Sequence, residues 1–440
     1  MAHQAYALPW QTLADNFKFV HANPRYHSLT NLYPCSKPGQ GKQLQHFAKV
    51  FARVISDYAT IERKKYDEEY APPDHDDDII ISDTTVKNIK NVVNEFMKQE
   101  LEEDPSFGTE PLLQRDRTMG PWMDVMTWNS CHPGRCIVVM DELLKTLLLY
   151  GEMETLFRIA AHPRIRLSKM WTDHRQFAFD LDDYGFGEVK EAALLAYICL
   201  NVFFLKPELY DPECRQQMLK EKAKRKIPVM SPEVYDYRLT AAYQQMLVYC
   251  TGTGYPYANH GAHKIPHREF YGVPFGMYTS RVHWHDKRNY YLRYGRFPLR
   301  DLVDKNFPTK YIPNKSDIPT VINLLHKKNL PTELALQILE LADYTSRGRL
   351  PVRDDPLSFD NAEELKKYLS YCWKLLVRTE MLLKANGTSL DWEYEVTEVI
   401  YKLFGLPYPQ MSTVAVERKW VVDDIVPGEV NEGRKRRTFI

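Results

Sequence analysis

Five of the chain's 14 histidines fall in one short stretch, at His260, His263, His267, His283 and His285, with Cys250 just upstream. Imidazole is the commonest metal ligand, and spacings of two to four residues let several rings converge on one ion. A metal-dependent enzyme built on His260–His285 is therefore one reading of this stretch. The other is a loop of surface or hydrogen-bonding histidines. The stretch has no His-Glu-x-x-His pattern and Cys250 has no nearby cysteine partner, while His283-Trp284-His285, if extended, sends its two rings to opposite faces. No metal ligand and no cofactor is assigned.

The same region can be read through its charges. From Lys264 to Lys310 there are ten Lys/Arg against four Asp/Glu, interleaved with Phe270, Tyr271, Phe275, Tyr278, Trp284, Tyr290, Tyr291, Tyr294 and Phe297. Arg281, Arg293, Arg296 and Arg300 could neutralise phosphates while the rings stack on single-stranded bases. The same composition suits a protein interface, where Tyr, Trp and Arg are the enriched anchors, or a structural loop. Nucleic acid is accordingly a candidate partner through 264–310.

Other reactive spacings lead nowhere definite. Cys131-His132-Pro133-Gly134-Arg135-Cys136 lacks a second thiol pair, and Pro133-Gly134 marks a turn. Thr251-Gly252-Thr253-Gly254 has neither the lysine nor the strand–helix context of a phosphate loop. Asp74-His75-Asp76-Asp77-Asp78 lacks the alternating ligands and glycine of a calcium loop and reads as a solvated charge run. No catalytic residue is nominated, and the reading leans away from an enzyme.

The elements that would position these residues are mostly helices. Leu44, Phe47, Phe51, Val54, Ile55, Tyr58 and Ile61 recur at three- and four-residue steps after a proline-punctuated arm at 1–41. Ser82 or Asp83 can cap a helix with Val86, Ile89, Val93, Phe96 and Met97 on its apolar face. Ile137 to Met140 could be a short strand. Leu143 to Leu149 begins a helix that Gly151 interrupts. Ala192 to Leu205 reads as a buried helix, too short to span a bilayer and interrupted by Asn201. Lys220 to Lys226 is a basic run at a helix end. Ser231-Pro232-Glu233 predicts a helix running toward Cys250, and further helices are expected over 317–328, 332–342, 362–384 and 392–404.

With 58 basic and 58 acidic residues the chain is formally neutral, so no whole-surface attraction to nucleic acid is expected. Apolar residues at 44% suit a globular protein. Seven irregularly spaced cysteines do not make a secreted disulfide framework, and Met1-Ala2-His3-Gln4 does not open a signal peptide. The expectation is a mainly α protein of the cytoplasm or nucleus with no membrane partner. Its organisation is expected to be a helix-rich multi-helix globular body over 1–315 with a loop-rich segment at 251–315. A small C-terminal helical subdomain over 316–405 and a mobile basic tail over 406–440 would follow.

Leu330-Pro331-Thr332-Glu333 opens a helix start. Pro331 presets the entry, and Leu334, Ile338, Leu341 and Ala342 form one stripe that Leu336 and Leu339 widen. Farther on, Cys372-Trp373-Lys374-Leu375-Leu376 lies in an amphipathic helix. This segment resembles the opening of an F-box, Leu-Pro-x-Glu followed by a hydrophobic helix and a later Cys/Lys-rich turn with Trp. More broadly, 330–404 resembles a C-terminal segment seen in proteins of filamentous fungi. The resemblance implies three short helices that pack on the adaptor protein of a cullin-type ubiquitin ligase. Leu330, Pro331, Leu334, Leu336, Ile338, Leu339 and Trp373 would be the docking residues. Residues 1–315 would then select an unknown protein substrate.

Overall fold

The computed structural model describes residues 7–21, 29–34, 40–66, 82–86, 144–162, 186–251, 317–342, 355–387 and 389–405, with isolated positions between them. These residues are mainly helical, as expected. The core is organised around α4 (Phe186–Phe204), after α1 (Trp10–Asp15), α2 (Gln40–Arg63) and α3 (Met153–Ala161). From Ala193 to Val202 every position of α4 except Asn201 is apolar or aromatic, and the helix is buried all round. The amide of Asn201 donates to the Tyr197 carbonyl one turn back at 2.9 Å, so the polar interruption stays inside the helix.

Among the described residues five further α-helices follow the basic α5 (Pro212–Lys224): α6 (Ala241–Thr251), the pair α7 (Asp317–His326) and α8 (Thr332–Leu341), and then α9 (Ala362–Ala385) and α10 (Trp392–Phe404), which bring the chain back to the core. Helix α9 packs on α2 and α4, and α10 packs on α2, α4 and α6. Buried apolar side chains form one cluster from Leu8 to Phe404. Its centre is aromatic. Trp373 of α9 lies 5.3 Å from Tyr197 of α4 and 5.9 Å from Phe51 of α2, ring centre to ring centre. Trp10 closes the group from the N-terminal side, 5.5 Å from Tyr197.

Two features depart from the sequence-based expectations. The N-terminal arm is ordered into α1 and a hairpin, in which β1 (Phe17–Val20) pairs antiparallel with β2 (Asn31–Pro34), Phe17 opposite Pro34 and Val20 opposite Asn31. Asn31 ties this hairpin into the body, donating to the Leu403 carbonyl at 2.8 Å and accepting from the Ala242 amide at 3.2 Å.

The helix expected from Ser231 to Cys250 is instead broken into two 3-10 turns, Pro232–Tyr235 and Tyr237–Leu239, before α6. Asp236 accepts from the Arg238 amide, and the Thr240 hydroxyl donates to the Tyr237 carbonyl and accepts from the Tyr243 amide. Such short side chains offer the backbone an alternative to helix, and here they stop it twice.

Helices α9 and α10 supply Tyr368, Trp373, Val396 and Phe404 to the same core as Phe51 and Tyr197. The strand expected at 137–140, most of the helix after Ser82 and the tail from 406 lie outside the described residues.

Candidate docking site

Helices α7 and α8 are in contact and are joined by a tight turn. Asn329 adopts a left-handed backbone (φ 64°), and Leu330 N–H donates to the Leu325 carbonyl at 3.2 Å while Asn329 N–H donates to the His326 carbonyl at 2.8 Å. These are the crossed bonds that close a helix and reverse the chain. Asparagine tolerates this conformation better than most residues because its short amide can bond locally. Pro331 then enters α8 in an extended conformation (ψ 157°), and the Thr332 hydroxyl meets His326 Nε2 at 3.1 Å across the turn.

The face that α8 buries is narrow. Only Ala335 and Leu339 of α8 are buried, one turn apart, and the helix contacts α7. The other apolar side chains point to solvent: Leu334, Leu336, Ile338 and Leu341 are 46, 51, 40 and 81% exposed, and Leu324 of α7 is 55% exposed. The predicted stripe of Leu334, Ile338 and Leu341 is thus real, but it faces outward. Single exposed aliphatics need no explanation, whereas several on one small hairpin make an apolar surface of the kind that binds a partner.

The remaining candidate residues separate. Leu330 is half-buried in the turn, Pro331 is exposed beside it, and Leu339 is buried. Trp373 does not join the surface. It is buried against Tyr197, Phe51 and Tyr58, the last at 5.5 Å, and is part of the core that holds α9 in place. Leu324 was not singled out beforehand. Its place in Val321-Ile322-Asn323-Leu324-Leu325 marks it as apolar, yet α7 buries none of its residues, so spacing alone does not say which of them face outward.

Two charged groups bear on how the scaffold is fastened. Arg378 of α9 donates to the Leu148 and Leu149 carbonyls, ending the helix at 144–150, and pairs with Glu62 of α2 at 3.3 Å. Gly151, with φ 79°, sits against this guanidinium. Burial pushes the Glu62 carboxyl up, but Lys65 and Arg378 outweigh it and hold it below its usual range. Glu398 of α10 goes the other way. Burial raises it, Lys402 opposes, and Glu395 and Glu191 add to the rise.

Nothing among the described residues supplies reactive chemistry to the hairpin. No group of three or more His, Cys, Asp or Glu there could hold a metal ion. The thiols of Cys199 and Cys372 are buried and pushed well up by burial, which keeps them protonated. His260, His263, His267, His283 and His285 and the aromatic-basic stretch 264–310 lie outside the described residues, as do Cys131 and Cys136. Among the described residues no helix is long and apolar enough to cross a membrane.

Together these features define a mainly helical scaffold with one core, carrying an apolar helical hairpin at its side. Residues 11–415 match the family described as Gramillins biosynthetic cluster protein GRA5, and the chain belongs to that family. The matched span takes in core and hairpin alike. No curated protein and no solved structure matches the chain.

Proposed function

We propose that this protein is a non-enzymatic interaction protein serving a biosynthetic cluster of the kind its family is named for, with the α7–α8 hairpin as its docking element. The observation that carries this reading is the outward stripe of Leu334, Ile338 and Leu341, with Leu336 and Leu324 also exposed on the same hairpin. Burying each such side chain against a partner contributes about 1.5–3 kcal/mol. Four or five of them are enough for a specific contact after the costs of association are met.

The finer proposal is that the partner is the adaptor of a cullin-type ubiquitin ligase. Support comes from the Leu330-Pro331-Thr332-Glu333 opening, which places Pro331 at the entry and Leu334 and Ile338 on the free face. Residues 1–315 would then carry substrate selection.

Co-purification of the full chain with that adaptor tests both levels. The double substitution Leu334→Asp and Ile338→Asp should abolish recovery while leaving the circular dichroism spectrum and melting temperature unchanged, because both positions are exposed. Undiminished recovery of the adaptor by the double variant would sink the hairpin reading. Absence of any adaptor complex with the wild-type chain would sink the ligase reading.

A further inference from the structure

A second surface lies far along the chain from the hairpin and has a different chemistry. Helix α5 ends in Lys220, Lys222, Lys224, Arg225 and Lys226, with Glu221 the one acidic residue among them. The chain then runs through Ile227-Pro228-Val229-Met230. Every residue from Ala223 to Glu233 is exposed, including Ile227, Val229 and Met230, each at about half of its full area (46, 45 and 47%). Five cations and three bare aliphatic side chains therefore stand together on one protrusion.

The protrusion is held at both ends. At its start, Ile227 N–H donates to the Lys222 carbonyl and Lys226 N–H to the Ala223 carbonyl, both at 3.0 Å, a crossed closure that needs Lys226 in a left-handed backbone (φ 58°). Glycine would occupy that turn at less conformational cost, yet the position carries a cation. At its end, Pro232–Tyr235 begins a 3-10 turn whose Tyr235 is buried against Phe19 at 5.3 Å. Lys222 closes the base, its ammonium 3.1 Å from the Tyr235 hydroxyl and 4.5 Å from the ring centre. Lys224, Arg225 and Lys226 make no ion pair among the described residues, so their charge faces outward.

We propose that this protrusion is a peripheral membrane anchor that docks on an anionic phospholipid surface. The cations match the lipid phosphates and carboxylates in sign, and Ile227, Val229 and Met230 are of the type that enters the acyl boundary. Nucleic acid fits less well. Lys220 to Ser231 contains no aromatic ring to stack on a base, and exposed aliphatics gain nothing from a phosphate backbone. Such docking lies on the bilayer and requires no spanning helix. It is independent of the hairpin reading, since the residues and the partner differ.

The test is co-sedimentation of the full chain with phosphatidylcholine vesicles, with and without phosphatidylserine, at about 0.1 M and about 0.5 M sodium chloride. Binding to the serine-containing vesicles alone, weakened at high salt, is expected. Each basic residue near such a surface is worth about a fivefold factor in partitioning, so K224Q/R225Q/K226Q should lose roughly 100-fold. Because these lysines also complement the end of α5, a second variant outside the helix, I227S/V229S/M230S, should lose binding with the fold unchanged by circular dichroism. L334D/I338D should bind vesicles as wild type does, which separates this inference from the hairpin. Failure to sediment with anionic vesicles would overturn the proposal, as would equal binding to neutral ones or indifference to both triple variants. Salt-sensitive capture of an oligonucleotide in place of vesicles would overturn it too.

Discussion

Replacing Trp373 by alanine decides whether α9 belongs to a docking module or to the body. The indole is buried and contacts one ring on each of three sides: Tyr197 at 5.3 Å, Tyr58 at 5.5 Å and Phe51 at 5.9 Å. Deleting a buried Trp side chain costs about 3–5 kcal/mol, from lost transfer energy and the cavity left behind. Aromatic pairs add about 0.5–1.5 kcal/mol each, although the three share one ring and do not sum. Tyr58 is 42% exposed, so that side of the void opens toward water and collapses more easily. The expected loss is therefore toward the lower part of the range, about 3–4 kcal/mol, a large share of the roughly 5–15 kcal/mol that holds a typical domain. In thermal unfolding followed by far-ultraviolet circular dichroism this is a drop of roughly 3–5 °C for a chain of this length, in a single transition that includes the helices of both halves. A drop of a degree or less would refute the reasoning. So would two transitions of which only the minor one moves, because α9 and α10 would then melt as a separate unit. Loss of a partner at unchanged stability would return Trp373 to the surface.

Other substitutions probe the same scaffold. Arg378→Met should cost about 2 kcal/mol in urea denaturation, since it strands the Leu148 and Leu149 carbonyls and leaves Glu62 without its main partner across the helices. Glu62 is held below its usual range, so its contribution is complete above the ordinary glutamate pKa near 4.3 and disappears as pH falls through the lowered folded value. Stability measured against pH should therefore fall less steeply in acid for Arg378→Met than for wild type. Glu398 has the opposite sign. Its raised pKa means that the ionised carboxylate is a burden in the fold at neutral pH, relieved as pH falls. Glu398→Gln should therefore raise the melting temperature at pH 7, by a margin that shrinks on acidification; a constant or negative difference would contradict the sign. Thr240→Ala should cost about 1 kcal/mol through the lost cap of α6, whereas Ser231→Ala, exposed and without a side-chain cap bond, should shift the denaturation midpoint by almost nothing.

That last pair shows where local sequence signals mislead. Ser231-Pro232-Glu233 carries every mark of a helix start, and it does begin a turn. What ends it is Asp236 and Thr240, whose side chains reach Arg238 and Tyr243 over two or three residues. The same residue types look unremarkable inside an otherwise helical pattern. Long amphipathic or uniformly apolar segments were legible, as α2, α4, α9 and α10 confirm, because their burial is written into residue spacing over several turns. The β1–β2 hairpin was not, since four residues per strand give too little alternation. Its place is set instead by Asn31, which bonds Leu403 at the other end of the chain.

The hairpin at 317–342 marks a different limit. Periodicity says which side chains of α8 share a face, and Leu334, Ile338 and Leu341 do. It does not say whether that face turns inward. In an amphipathic helix the apolar stripe is assigned to the core because water normally drives it there. Here the buried face is Ala335 and Leu339, and the larger stripe is left outside. The turn at Asn329, closed by Leu330 onto Leu325, sets the rotation with which α8 leaves α7. The apolar face is thus held outward by a backbone turn and not by any shortage of hydrophobic drive. A partner with a matching groove would meet it already formed, with little of the ordering cost that a flexible segment incurs on binding.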